Sequence, residues 1–202
     1  MLDVAYVAGF SDPGAASQMV FRLLLDGMAS PGSILTIPDL GGVHPPALDY
    51  ATAGIILAIA DPETPVWFSD AFRTDVVSKW LRFHSGAPAA AEPSEGTFAV
   101  TRGTDADGVL GRFAIGDDRY PDRSATVLVS CASLAGGDPV VLTGPGIPAP
   151  RTVAPSALRD GFWKEAKANH ARFPLGVDLI FVSGASFFCL PRSTNISAEG
   201  AF

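Results

Sequence analysis

The chain has 202 residues, a length that suits one domain over 1–202 with a sizeable core. Only 17% of them are charged, against about 25% in ordinary soluble domains, so apolar surface is left for another chain to cover, as in a subunit or an obligate dimer. The net charge of −7 comes with no basic run and no aromatics interleaved with Lys or Arg, which excludes nucleic acid as a partner.

Met1-Leu2-Asp3-Val4 lacks the basic and apolar regions of a secretion signal. Asp12-Pro13 predicts an N-cap with proline at the first helical position. Phe21, Leu24, Leu25 and Met28 follow at helical spacing, and Ser30-Pro31-Gly32 ends the helix. Residues 33–37 predict a short strand. A uniformly apolar helix over about 48–60 is expected to be buried on most sides, and its stretch 53–60 is far short of the ~20 residues a bilayer needs. Residues 66–68 read as a strand.

The next helix begins near Thr74-Asp75 and puts Val77, Trp80, Leu81 and His84 on one stripe. Residues 97–101 are strand-like, and 102–122, rich in Gly and Asp, yield no element. Strands over 125–133 and 140–143 are expected to form a hairpin through Gly136-Gly137. Ser156 is expected to cap a helix running to about His170, and 177–183 with 186–190 form a last hairpin around Gly184-Ala185. Helices alternating with strands, then hairpins, predict an α/β fold: a single domain with a mixed β-sheet flanked by helices. Cys131 and Cys189 lie in separate apolar runs without CxxC spacing and read as buried free thiols.

His84-Ser85 invites a catalytic reading. His84 shares its stripe with core residues, however, Gly86 suits a left-handed C-terminal cap, and Pro88 forbids continuation. Arg82 and His84 then complement the helix dipole, and no G-x-S-x-G elbow occurs. His44, His84 and His170 are far apart and form no metal-ligand pairing. Gly144, Gly146 and Ala149 match G-x-G-x-x-A, but Pro145 and Pro148 remove amides that a pyrophosphate needs, so a strand-ending turn is the reading. Asp178, on a strand face with Ile180 and Val182, needs a partner, an arginine by preference, or else orients a ligand. Arg192 is a surface arginine or an oxyanion clamp.

Seven stretches in order, FRLLLDGMASPG (21–32), ETPVWFS (63–69), LRFHSGAP (81–88), GTFAV (96–100), LTGPGI (142–147), FPLGVDL (173–179) and LPRST (190–194), resemble the H subunit of the bacterial carbon–phosphorus lyase system, the PhnH family. Segment 102–123 departs most. The resemblance implies a cytoplasmic component of a core that also holds G, I and J subunits, docking chiefly on the I subunit and homodimeric when alone. In that system the G, H and I subunits, with the L subunit, support attack of a phosphonate on the ribose C1 of ATP, with adenine leaving; the iron–sulfur J subunit later breaks the carbon–phosphorus bond. The implied fold is like that of pyridoxal-phosphate transferases, with no cofactor. Lys79, Lys164 and Lys167 all fall inside predicted helices, none poised at a strand end for a Schiff base. Two expectations follow: an accessory subunit, or a subunit that binds ATP or an alkylphosphonate through Arg22, Arg82, His84, Asp178 and Arg192.

Overall fold

A computed structural model describes residues 9–198. Helix α1 (Pro13–Ala29) starts as its sequence dictates: the Asp12 carboxylate accepts the Ala15 N–H at 3.2 Å, and Pro13 occupies the first turn. It buries Ala16, Val20, Leu24 and Gly27, whereas Phe21 and Leu25 from the predicted stripe are 49% and 54% exposed. Ala16 and Gly27 on the inner face let α1 lie tight on the sheet. A Cβ at Gly27 would come within 2.8 Å of Cys189 Sγ. Helix α2 (Tyr50–Ile59) is buried continuously from Ala51 to Ile56. Helix α3 (Asp75–Ser85) is capped by Thr74 Oγ1, which accepts the Val77 N–H at 3.3 Å, and stops at Gly86, whose φ of 71° needs no Cβ. Helix α4 spans Phe162–His170. Ser156 does not cap it: Gly161 precedes α4, and the Ser156 hydroxyl donates to the Ser133 carbonyl instead.

The strands are β1 (Leu35–Thr36), β2 (Val66–Phe68), β3 (Phe98–Arg102), β4 (Thr126–Ser130), β5 (Val140–Gly144), β6 (Ile147–Val153), β7 (Asp178–Ser183), β8 (Ser186–Leu190) and β9 (Asn195–Ala198). Six form a mixed sheet in the order β1-β8-β7-β4-β3-β2, parallel from β2 through β7 and antiparallel at β7–β8 and β8–β1. The remaining three form a separate antiparallel sheet, β6-β5-β9. The expected hairpin between 125–133 and 140–143 is therefore wrong. Buried on both faces, β4 is claimed by β3 and β7, and β5 pairs in the other sheet. The Leu142–Pro148 stretch runs from the end of β5 through a turn at Pro145-Gly146 into β6, so the strand-ending turn is present.

Alternation along the parallel strands builds two cores. Val100, Leu128, Ile180 and Val182 face α1–α3 and meet Val20, Ile55 and Trp80. Ala99, Val127, Val129, Leu179 and Phe181 face α4 and the small sheet, meeting Phe162, Ala166, Leu142 and Val153. The α/β fold with a mixed sheet is as the sequence predicted; the separate small sheet, which shares one outer layer with α4, was not.

Candidate functional site

Asp178 opens β7, and Arg192 follows β8 at the same end of the sheet. The Arg192 backbone N–H and Nε donate to Asp178 Oδ1 at 2.8 and 3.2 Å, and Nη2 meets Oδ2 at 2.5 Å. Nη2 also donates to Ser124 Oγ, and Nη1 donates to the Pro121 carbonyl at 2.8 Å. Four of the five guanidinium N–H groups are thus used. The side chains are only 14% and 21% exposed, and the network leaves Arg192 one N–H to offer an oxyanion. The pair also sits at the amino ends of the parallel strands, whereas open α/β sheets take ligands at the carboxyl ends. Its geometry is that of a structural clasp.

The other candidates lie elsewhere. Arg82 and the half-buried His84 end α3, where His84 packs beside Trp80 at 5.7 Å and Phe83 at 5.0 Å between ring centroids. Ser85 Oγ turns away to the Leu81 carbonyl at 2.8 Å. The chain after α3 returns to the start of β2, three strand spacings from β7, on the order of 14 Å. Arg22 is exposed on α1. The five residues therefore occupy three separate places.

The carboxyl edge of the parallel strands is organised by residues that spacing alone did not single out. Asp49 precedes α2 without capping it; its Oδ2 accepts the Ser130 hydroxyl at the end of β4 at 2.5 Å, and its Oδ1 accepts the Gly184 N–H at 3.0 Å. Asp105 Oδ2 accepts the Ser69 hydroxyl at 2.5 Å and the Arg102 N–H at 3.1 Å, joining the ends of β2 and β3. Beside this edge a cavity of 420 Å³ is lined by Gly136, Ala157, Arg159, Gly161, Trp163 and Lys164. Arg159 there is paired with Glu165 at 2.6 Å. Asp138 and Asp160 line the same cavity and offset its positive groups. Among the described residues no group of three or more His, Cys, Asp or Glu could hold a metal ion. No helix among them is long and apolar enough to cross a membrane.

Neither thiol offers a nucleophile. Burial, with the Asp49 carboxylate adding to it, pushes Cys131 from 9.0 up to about 12. Burial and Asp178 do the same to Cys189. A thiol raised in the folded state contributes stability that is complete below its ordinary value of 9.0 and is lost as pH climbs toward about 12. Chemical denaturation in steps of pH is expected to show stability falling across that window. Ellman's reagent at neutral pH is expected to label neither cysteine until the chain unfolds; rapid labelling of native protein would contradict the burial.

The chain is thus a three-layer α/β domain with an internal Asp178–Arg192 clasp. The chain belongs to the bacterial phosphonate metabolism protein family (PhnH), whose model matches residues 8–197. It is 38% identical over 194 residues, 96% of each chain, to a protein of Rhizobium meliloti (strain 1021) named alpha-D-ribose 1-methylphosphonate 5-triphosphate synthase subunit PhnH. It is also 32% identical over 186 residues, 91% of this chain and 87% of the other, to the putative C-P lyase subunit protein HtxG of Stutzerimonas stutzeri.

Proposed function

We propose that this chain is the H-type subunit of a bacterial carbon–phosphorus lyase core, an accessory component in the transfer of a phosphonate to the ribose C1 of ATP with release of adenine. The observation that carries the accessory reading is the outward face of α1, where Phe21 and Leu25, one turn apart, are 49% and 54% exposed. Large apolar side chains gathered in this way mark surfaces that meet protein. Its partners on this reading are the G, I and J subunits, chiefly I, with a homodimer when alone, in the cytoplasm. The chain acts as one domain over 1–202, related in fold to pyridoxal-phosphate transferases but without the cofactor; Lys79 lies in α3, and Lys164 and Lys167 lie in α4.

The alternative, a site for ATP or alkylphosphonate made from Arg22, Arg82, His84, Asp178 and Arg192, has less support because those residues are dispersed and Arg192 is already engaged. Co-expression with tagged partner subunits tests the accessory reading. Replacing Phe21 and Leu25 together with glutamate is expected to cut recovery of the complex at least about tenfold. Circular dichroism of the variant should be unchanged, and adenine release by the assembled subunits should fall in parallel. Undiminished recovery would overturn the reading.

A further inference from the structure

Beside the N-terminal half of α1 runs a groove of 280 Å³, with Ala15, Ala16, Met19 and Leu40 as its apolar lining and Asp12 and Asp39 as its charged residues. Its walls are fixed to each other. The Ser11 hydroxyl and backbone N–H both donate to the Leu40 carbonyl, at 2.7 and 3.2 Å, and the Leu40 N–H donates to Tyr50 Oη at 2.7 Å. A groove held open in this way imposes little ordering cost on what enters it. Both carboxylates are on exposed residues, and each uses one oxygen locally: Asp12 Oδ1 accepts the Ala15 N–H at 3.2 Å and Asp39 Oδ1 accepts the Gly41 N–H at 2.9 Å.

We propose that this groove seats an extended segment of a partner subunit in which an apolar side chain is followed within a residue or two by lysine or arginine. The inference rests on the accessory reading and gives that reading a chemistry. The volume lies below the ~300–1,000 Å³ usual for small-molecule sites and suits one or two side chains. Two aspartates and a net charge of −7 repel phosphonate and triphosphate, while a cation is drawn to the rim. The positive end of the α1 dipole, which would oppose a cation, is already answered by the Asp12 cap. Met19 lines the groove and is 44% exposed, so an incoming segment meets it from solvent. Methionine suits an irregular docking surface because its thioether adapts to the incoming side chain.

The test uses the assembled subunits, with affinity for the tagged partners read at about 0.05 M and about 0.5 M salt. Asp39→Lys is expected to weaken association about tenfold at low salt, with a smaller loss at high salt. Asp39→Asn keeps the acceptor for Gly41 and removes only the charge; it should weaken association about threefold, again chiefly at low salt. Met19→Glu should weaken it at both salts. Wild-type affinity in Asp39→Lys and Asp39→Asn overturns the groove proposal and leaves the accessory reading standing. Failure of the wild-type chain to assemble at either salt overturns both.

Discussion

Arg192→Met is expected to destabilise the folded chain by about 3 kcal/mol, at the lower end of the range for breaking a buried ion pair because both partners keep some contact with water. For a chain of this length that lowers Tm by roughly 10 °C. The cost is not one hydrogen bond. Asp178, 21% exposed, keeps its charge without a partner, while the Pro121 carbonyl and Ser124 hydroxyl lose their donors. Arg192→Lys restores the charge but not the fork that reaches Asp178, Ser124 and Pro121 at once, so less than half the stability should return. Asp178→Asn combined with Arg192→Met should cost less than the sum of the single changes, with a coupling of about 1.5 kcal/mol or more. Thermal and denaturant melts read these values. Additive losses, or a loss under about 0.5 kcal/mol for Arg192→Met, would refute the clasp. Adenine release normalised to folded protein separates the clasp from an oxyanion site. A clasp leaves it unchanged in Arg192→Lys, whereas an oxyanion site would lose activity out of proportion to folding.

That pair also marks what the sequence makes legible. A carboxylate beside Ile180 and Val182 must be compensated, so a partner for Asp178, an arginine by preference, follows from desolvation. Its identity as Arg192 follows from β8 returning antiparallel to β7 and bringing the chain back to the first residue of β7. Local signals also placed α1, α3 and the β7–β8 hairpin, because their caps and turns are written within a few residues. Partner choice between strands was not legible in the same way. The apolar runs 125–133 and 140–143 are near in sequence with glycines between them, a good hairpin pattern, yet β4 pairs with β3 and β7. A strand buried on both faces carries no mark of its neighbours. Strand β6 escaped notice because Pro148 and Pro150 argue against a strand, and it tolerates them as an edge of the small sheet. The carboxyl-edge links from Asp49 to Ser130 and from Asp105 to Ser69 span 81 and 36 residues, so only the fold brings them together. The apolar spacing of α1 was visible, but which apolar residues face outward depends on how near the sheet lies to Gly27.

Gly146→Ala is expected to cost at least about 3 kcal/mol, although a single methyl is added to a surface turn. Two effects combine. Gly146 has φ of 77°, where a side chain costs ~1–2 kcal/mol, and a Cβ there would lie 2.2 Å from the Ala29 carbonyl oxygen, which is backbone and cannot step aside. The β5–β6 turn would have to withdraw from the C-terminal end of α1. Arg151 fastens the same junction: its Nη1 donates to the Pro31 carbonyl at 2.5 Å and to Ser33 Oγ at 2.6 Å. Withdrawal of the turn therefore loosens the helix that carries Phe21 and Leu25, and assembly with partner subunits should weaken along with stability. Gly136→Ala is the control. Its φ of 84° imposes the same backbone strain, but nothing lies within 4 Å of the added Cβ, so about 1–2 kcal/mol is expected. Equal losses for the two substitutions would show that φ alone governs both sites. An excess at Gly146 of about 1 kcal/mol or more shows that the G-P-G turn is shaped by the end of α1 rather than by a phosphate.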